Sequence, residues 1–237
     1  MGISIFFSDD TAVKIMAKDE ELLETLQSQQ DPILHLYRWK NPSITYGHFI
    51  KIENMVQLEE LNRQEIDISK RPTGGGIIFH LYDYAFSFLL PSGSKFFSAN
   101  PIENYAFVHQ IVKKALSKFL DQSHLNFLKA SVEDRSDSSK FCMACPTIYD
   151  VMVQGKKIVG AAQRKKQQGY LHQGSIALMQ PNFELVKKIL KEPSLVASKM
   201  ENFTYSFLSS DATHEELEQM RKKIQTELIV AFQTTFS

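Results

Sequence analysis

Cysteine is scarce in this chain of 237 residues, in which Cys142 and Cys145 are the only two. Two cysteines exclude the disulfide framework of a small secreted domain and indicate a reducing compartment. The sequence also lacks an apolar run of about 18 residues, and it lacks the basic start and apolar core of a signal peptide. We therefore expect a cytoplasmic protein with no membrane partner.

An excess of one charge is absent as well, because 27 Lys and Arg residues balance 27 Asp and Glu residues and the formal net charge is zero. A neutral chain is poorly suited to bind the phosphate backbone, so we expect no nucleic-acid partner. Hydrophobic residues at 43% and charged residues at 23% are average for a globular protein. Since the sequence has no repeat and no linker, we expect one domain over residues 1–237.

The two cysteines form a C-x-x-C motif, which occurs in zinc sites and in redox sites. Zinc needs about four ligands, and the sequence has no second pair of cysteines. A redox motif usually opens a helix after a strand, whereas Pro146 and Thr147 follow Cys145 here. We therefore predict no metal site. Cys142 is either a buried filler or, where nearby cations favour its thiolate, a nucleophile.

Hydrophobic periodicity predicts an α+β fold. Apolar, aromatic and β-branched runs predict strands at 33–39, 77–90 and 157–161. Helices are predicted behind capping residues such as Asn100 and Thr213. The strands cluster into hairpins and the helices are inserted between them, which is typical of α+β rather than of alternating βαβ units.

The most informative segment is a glycine-rich stretch between two predicted strands, Arg71-Pro-Thr73-Gly74-Gly75-Gly76. Three successive glycines serve a strand poorly, because they increase the entropy lost on folding and pack nothing. They suit a place where the backbone approaches a ligand and presents N–H groups to it. Arg71 adds a fixed cation for a carboxylate or phosphate. The alternative is a hairpin turn with a basic residue beside it.

A second segment carries two adjacent lysines, Lys156 and Lys157, followed by the small residues Gly160 and Ala161. Neighbouring residues of a strand face opposite sides, so one lysine can point into a site while the other is solvated. The alternative is a solvated hairpin. Further along, His172 could carry a proton near pH 7, or it could be a structural histidine.

Taken together, these segments resemble the lipoate–protein ligase A and octanoyltransferase family, whose catalytic fold is shared with biotin–protein ligases. The resemblance lies in motifs that follow in the family's order along most of the chain. They are Arg71-Pro-Thr-Gly-Gly-Gly-Ile-Ile-Phe-His80, Ala17-Lys-Asp-Glu-Glu-Leu-Leu23, Leu36-Tyr-Arg-Trp39 with Pro42 and Tyr46-Gly47, Gly155-Lys-Lys-Ile-Val-Gly160 with Ala162-Gln163, and His172-Gln-Gly-Ser-Ile176.

The resemblance implies a mixed, largely antiparallel sheet flanked by helices, with the acyl chain in an apolar tunnel. It implies that Lys157 binds the activated carbonyl end, and that the lipoyl or octanoyl group finishes as an amide on a lysine of a lipoyl-domain protein. The substrate-binding residues that it implies are Arg71, Thr73, Gly74, Gly75, Gly76, His80, Gly160, Ala161, His172, Gly174 and Ser175.

Two mechanisms occur in this family. A ligase uses ATP and Mg²⁺ to make an acyl adenylate, whereas a transferase takes octanoyl from acyl carrier protein through a cysteine thioester and needs no cofactor. Residues 141–149 resemble the nucleophile segment of one transferase branch and place Cys142, not Cys145, at the nucleophile. The spacing from His80 to Ser87 and the expected lack of a C-terminal accessory domain also favour transfer.

The chain departs from the family pattern at Leu81, where an Asp usually follows the histidine of the glycine-rich signature. Leu81 puts the geometry of the acceptor or nucleotide side in question, and three alternatives to cysteine-dependent transfer stay open. One is ATP-dependent ligation through lipoyl-AMP, and another is a non-catalytic protein that binds acyl groups. The third is biotin transfer on the same fold, against which the glycine-rich signature argues.

Overall fold

A computed structural model of the chain describes residues 2–129 and 140–237. A polar loop is expected at 131–140, and all of it except Lys140 lies outside the described residues. In chain order the elements are β1 (Ser4–Asp10), α1 (Ala12–Thr25), β2 (Ile33–Trp39), β3 (Ser43–Tyr46), α2 (Leu58–Arg63), β4 (Asp67–Lys70), β5 (Ile77–His80), β6 (Asp83–Pro91), α3 (Pro101–Leu116), β7 (Leu125–Phe127), β8 (Val151–Val153), β9 (Lys156–Lys166), β10 (Gly169–Ala177), α4 (Phe183–Ile189), α5 (Pro193–Phe203) and α6 (His214–Phe236).

Within these residues the main sheet has seven strands in the order β1-β2-β6-β10-β9-β8-β7. Only the β1–β2 pair is parallel there, and every other neighbouring pair is antiparallel. The expected α+β class with a mixed, largely antiparallel sheet is therefore confirmed.

A second sheet of the described chain has three strands in the order β4-β3-β5 and was not predicted. The expected single strand at 77–90 is wrong, because the chain turns at Leu81 and Tyr82. Residues before the turn pair with β3, and residues after it pair with β2 and β10. Apolar periodicity cannot reveal such a change of sheet, since both strands are buried.

The two faces of the main sheet carry different layers. Helices α3 and α6 cover one face, where Phe86, Phe88 and Phe232 belong to an extensive hydrophobic cluster. Helix α1 packs on the other face beside the small sheet. The predicted caps are confirmed: the Asn100 side chain accepts from Ile102 N, and Thr213 begins α6 with a capping box. In the described ranges, no helix is both long and apolar enough to cross a membrane.

Candidate functional site

The glycine-rich loop connects β4 to β5, and its backbone packs directly against the backbone of the segment that follows β3. Gly47 N donates to Gly76 O at 3.2 Å, and His48 N donates to Thr73 O at 3.1 Å. A Cβ on Gly76 would lie 2.0 Å from the carbonyl oxygen of Lys140, so only glycine fits at this position. The loop is therefore held tightly at its end, next to the segment that carries the cysteines.

Arg71 braces this loop from inside. Its guanidinium is buried and donates to Gly76 O at 2.6 Å, to Gly74 O at 3.1 Å and to Thr45 Oγ1 at 2.9 Å. Burial lowers the pKa of Arg71, while the neighbouring Cys142 and Tyr37 act in the opposite direction. The cation thus fixes the loop's carbonyls and places positive charge beside the Cys142 thiol.

Cys142 meets the end of the glycine-rich loop directly. Gly76 N donates to Cys142 Sγ at 3.2 Å, and Cys142 N donates to Ile77 O at 3.0 Å. The side chain is half-buried, and both cysteines are reduced thiols. An N–H donor and the Arg71 guanidinium therefore lie beside one sulfur.

Lys157 reaches the same place from β9. Its side chain is buried, and Nζ donates to the carbonyl oxygen of Cys142 at 2.7 Å. Lys156 is exposed, so the prediction that the two lysines face opposite sides is confirmed. The pairing of β8 with β9 shifts register between Val151 and Met152, next to Lys157, and such irregularities re-aim side chains.

Asp150, which sequence reasoning missed, holds Lys157 in place. Its carboxylate is buried and lies 2.7 Å from Lys157 Nζ. The same carboxylate accepts from Tyr105 OH at 2.6 Å and from Thr147 N at 2.7 Å. Burial, with the Asp150 charge and hydrogen bond, raises the pKa of Tyr105 well above its usual range, so the phenol stays a donor. The one signal for Asp150 in the sequence is its position just before the apolar strand 151–153. A carboxylate buried there needs a cation, and Lys157 follows a few residues later.

Gly160 leaves the space that the Lys157 side chain fills. A Cβ on Gly160 would lie 2.4 Å from Lys157 Cε and 2.7 Å from Nζ. We expect Gly160→Ala to displace the ammonium group at the end of a flexible side chain while the backbone stays in place. Turnover should then fall at least about 10-fold, and the melting temperature should fall by less than in Lys157→Ala, since the cation is shifted from Asp150 rather than removed. Steady-state kinetics and thermal unfolding check this, and unchanged turnover would contradict the assigned position of Lys157.

His80 belongs to a buried polar chain behind Arg71. Its Nδ1 lies 2.6 Å from Asp83 Oδ2, and its Nε2 lies 2.8 Å from Thr45 Oγ1, the atom that accepts from Arg71. Ser175 Oγ donates to the same Asp83 oxygen at 2.6 Å. Because both ring nitrogens have protein partners, His80 supports the loop through Thr45 and Arg71.

The residue pattern around Leu81 has a structural explanation. Leu81 packs among apolar residues, and Asp83, two positions later, supplies the carboxylate that meets His80. Burial opposes ionisation of Asp83, but its interactions with His80, Ser175 and Arg221 hold its pKa below the usual value. The departure at Leu81 therefore does not deprive His80 of an acidic partner.

The opposite face of the sheet holds three of the predicted substrate-binding residues. In the β9–β10 register, Gly174 is opposite Ala161 and His172 is opposite Gln163. A Cβ on Gly174 would meet the Phe86 ring, and the His172 ring lies 5.2 Å from that of His109 on α3. The structure thus places His172, Gly174 and Ala161 on the helix-covered face, whereas Ser175 and Gly160 lie on the face of the glycine-rich loop.

His109 and His172 are both buried and neutral. Burial lowers the pKa of His109 to about 4, against the opposing effects of Asp150 and of the Tyr149 carbonyl, and burial lowers the pKa of His172 well below its usual value. The His109 Nδ1–H donates to Tyr149 O at 2.8 Å. His109 therefore supports the segment just before β8 that carries Asp150, and neither histidine carries a proton near pH 7.

A pH effect on stability follows. An unfolded histidine binds a proton below about pH 6.5, but folded His109 does so only near pH 4, so the free energy of unfolding should fall as the pH drops between these values. From His109 alone we expect a loss of about 2 kcal/mol by pH 5. Urea unfolding from pH 7.5 to pH 5 measures it. His109→Gln should remove the His109 part of this loss and leave the part that comes from His172, whereas the exposed-residue control His124→Gln should leave the profile unchanged. An unchanged profile in His109→Gln would contradict the assignment.

A cavity of about 830 Å³ opens on the far side of His80, between β2, the β5–β6 turn and α6. Trp39 packs against His80 in its wall, with ring centroids 4.4 Å apart and the ring planes tilted by 33°. Arg38, Arg221 and Glu218 form its outer wall. The expected acyl tunnel stays a prediction.

Comparison with known proteins gives one family. The model for the lipoyl protein ligase A/B catalytic domain matches residues 12–227. Octanoyltransferase LipM of Carboxydothermus hydrogenoformans is 28% identical over 181 residues, which are 76% of this chain and 65% of that protein. Octanoyltransferase LipM of Oceanobacillus iheyensis is 27% identical over 232 residues, which are 96% of this chain and 81% of that protein. The chain therefore spans just under two thirds of the first relative.

Solved structures share the fold. A lipoate-protein ligase A bound with ATP superposes with a TM-score of 0.73 at 21% identity, covering 100% of this chain and 86% of that chain. A bipartite lipoate protein ligase from Thermoplasma acidophilum, described with its E2 lipoyl domain, superposes with a TM-score of 0.70 at 20% identity, covering 99% of this chain and 84% of that one. At these identities the similarity establishes the architecture only.

Proposed function

Because the chain belongs to the lipoyl protein ligase A/B catalytic domain family, we propose that it attaches an octanoyl or lipoyl group to a lysine of lipoyl-domain proteins. We further propose that the acyl group passes through a thioester on Cys142 and comes from acyl carrier protein. The names of the curated relatives, which are octanoyltransferases, support the transferase mechanism.

One observation carries the proposal. The Cys142 thiol accepts from Gly76 N, and the Lys157 ammonium binds the carbonyl of the same cysteine. A nucleophile, a backbone donor and a cation therefore lie together at the end of the glycine-rich loop. Acyl transfer needs these three groups, because the attacked carbonyl oxygen becomes negative in the transition state.

The first step forms the acyl-enzyme. The Cys142 thiolate attacks the carbonyl carbon of the donor thioester, the new carbon–sulfur bond forms, and the bond to the carrier sulfur breaks. The carrier thiolate leaves and takes up a proton. Lys157 is placed to stabilise the oxygen that gains charge, and Arg71 stabilises the loop around it.

The second step transfers the acyl group to the acceptor. The neutral amine of the acceptor lysine attacks the thioester on Cys142, an amide bond forms, and the carbon–sulfur bond breaks. The amine loses a proton and the cysteine sulfur regains its negative charge. No nucleotide and no metal ion take part in this balance.

The second candidate function is ATP-dependent lipoate ligation. The observation in its favour is that the chain shares its fold with a lipoate-protein ligase A that binds ATP. Lys157 would then bind the carbonyl of an acyl adenylate, and Cys142 would have no covalent role. Within residues 2–129 and 140–237, no group of three or more His, Cys, Asp or Glu side chains could hold a metal ion. Mg²⁺ would therefore bind largely through the nucleotide phosphates.

The two candidates are separated by the donor. Purified protein and an apo lipoyl domain are incubated with octanoyl carrier protein in one arm, and with lipoate, ATP and Mg²⁺ in the other. Intact mass reports the modified lipoyl domain. We expect modification from octanoyl carrier protein without ATP.

Two other results would overturn the proposal in different ways. Modification only from lipoate and ATP, with lipoyl-AMP formation unaffected by Cys142→Ala, would establish the ligase. Acyl binding without modification in either arm would establish a non-catalytic binding protein.

A further inference from the structure

A buried carboxylate in α1 has no part in the chemistry described so far. Asp19 is completely buried, and its carboxylate has three partners. Its Oδ1 lies 2.7 Å from His35 Nδ1, and its Oδ2 accepts from Ser87 Oγ at 2.5 Å and from Gln173 Nε2 at 2.6 Å. A buried carboxylate that lost these partners would be strongly unfavourable, so the three contacts define its position.

The contact with Gln173 leads to the glycine-rich loop. Gln173 is on β10, and its other amide atom, Oε1, accepts from Thr73 Oγ1 at 2.7 Å. Thr73 is completely buried in the loop, where its carbonyl accepts from His48 N. A continuous chain of hydrogen bonds therefore runs from Asp19 through Gln173 to Thr73.

The chemistry of Asp19 sets the direction of this chain. A carboxylate only accepts hydrogen bonds, so the Gln173 amide must turn its NH₂ group toward Asp19. Its oxygen then faces Thr73, and the Thr73 hydroxyl must donate to it. Without the acceptor at Asp19 the amide is free to rotate, and one of its orientations presents NH₂ to Thr73 in place of the acceptor.

We propose that Asp19 is a positioning residue that fixes the glycine-rich loop through the orientation of the Gln173 amide. The loop in turn places Gly76 N against the Cys142 thiol and holds the guanidinium of Arg71. The kinetic part of this inference rests on the proposed function, since it concerns turnover through Cys142. The effect on the loop itself does not depend on that function.

The test uses Asp19→Leu, which keeps the branching of the side chain but removes the acceptor. Hydrogen–deuterium exchange of a peptide covering residues 71–77 should become about 10-fold faster than in the wild type. The value of kcat for octanoyl transfer should fall about 10- to 100-fold with little change in KM, because the loop places reacting groups. Asp19→Asn, which still offers Gln173 an oxygen when His35 changes tautomer, should keep both values within a few-fold of the wild type.

Ser87→Ala is the matched control, because it removes another hydrogen bond of Asp19 that does not lead to the loop. We expect lower stability but normal loop exchange and normal kcat. Normal loop exchange in folded Asp19→Leu would overturn the proposal, and so would equal loop exchange in Asp19→Leu and Ser87→Ala.

If Asp19→Leu does not fold, Gln173→Met cuts the same chain at its centre, and normal loop exchange in that variant overturns the proposal. If the wild-type protein transfers no octanoyl group but loop exchange is faster in Asp19→Leu than in the wild type, the positioning role is retained and the proposed function is rejected.

Discussion

Replacing Cys142 by alanine is expected to lower the rate of octanoyl transfer at least about 1,000-fold, because the covalent route loses its nucleophile. The fold should survive, since the thiol is half-buried and its main-chain hydrogen bond to Ile77 does not depend on the side chain. The measurement is the initial rate of lipoyl-domain modification with octanoyl carrier protein as donor, at matched protein concentration.

Cys145→Ser is the control for this prediction. The Gly76 N–H donates to Cys142, so the loss of the neighbouring thiol should leave transfer within a few-fold of the wild type. Loss of activity in Cys145→Ser, together with retained activity in Cys142→Ala, would assign the nucleophile to the other cysteine.

Removing Lys157 is the second change with a large expected effect. Lys157→Ala takes away the buried cation that contacts the Cys142 carbonyl, and the rate of acyl transfer should fall about 100- to 1,000-fold under either mechanism. Lys156→Ala is the control, because this lysine is exposed and should matter little. Near-normal turnover in Lys157→Ala would contradict the role assigned to this residue.

The ion pair with Asp150 adds a cost in stability that the sequence did not reveal. Lys157→Ala leaves the Asp150 carboxylate buried without its cation, and such a loss typically costs about 3–5 kcal/mol. The double variant Lys157→Ala/Asp150→Asn removes the unpaired charge, so it should recover much of the stability. It should not recover turnover, which separates the catalytic loss from unfolding.

Much of the fold was predictable because its signals are local. The cap at Asn100 and the capping box at Thr213 fix where α3 and α6 begin. The division of the apolar run into β5 and β6 was not predictable, because it depends on pairing with strands that are distant in sequence. Helix α5 was missed for a different reason, since Pro193, which is its first residue, reads as the end of α4.

The candidate site was likewise predictable only where its residues stand out in the local sequence. The glycine-rich loop, Cys142 and Lys157 stand out by residue type and motif, and the structure brings them together. Their partners Asp150 and Asp19 are ordinary acidic residues in the sequence. Their roles arise from contacts across strands and helices, which spacing along the chain does not encode.

The most direct test of the account is the mass of the protein itself after exposure to octanoyl carrier protein with no acceptor present. We predict one octanoyl group, located on Cys142 by peptide mapping, labile to hydroxylamine and discharged when apo lipoyl domain is added. The adduct should persist in Cys145→Ser and be absent from Cys142→Ser. Octanoyl transfer to the lipoyl domain that proceeds in Cys142→Ser, with no adduct on the wild-type protein, would contradict the account.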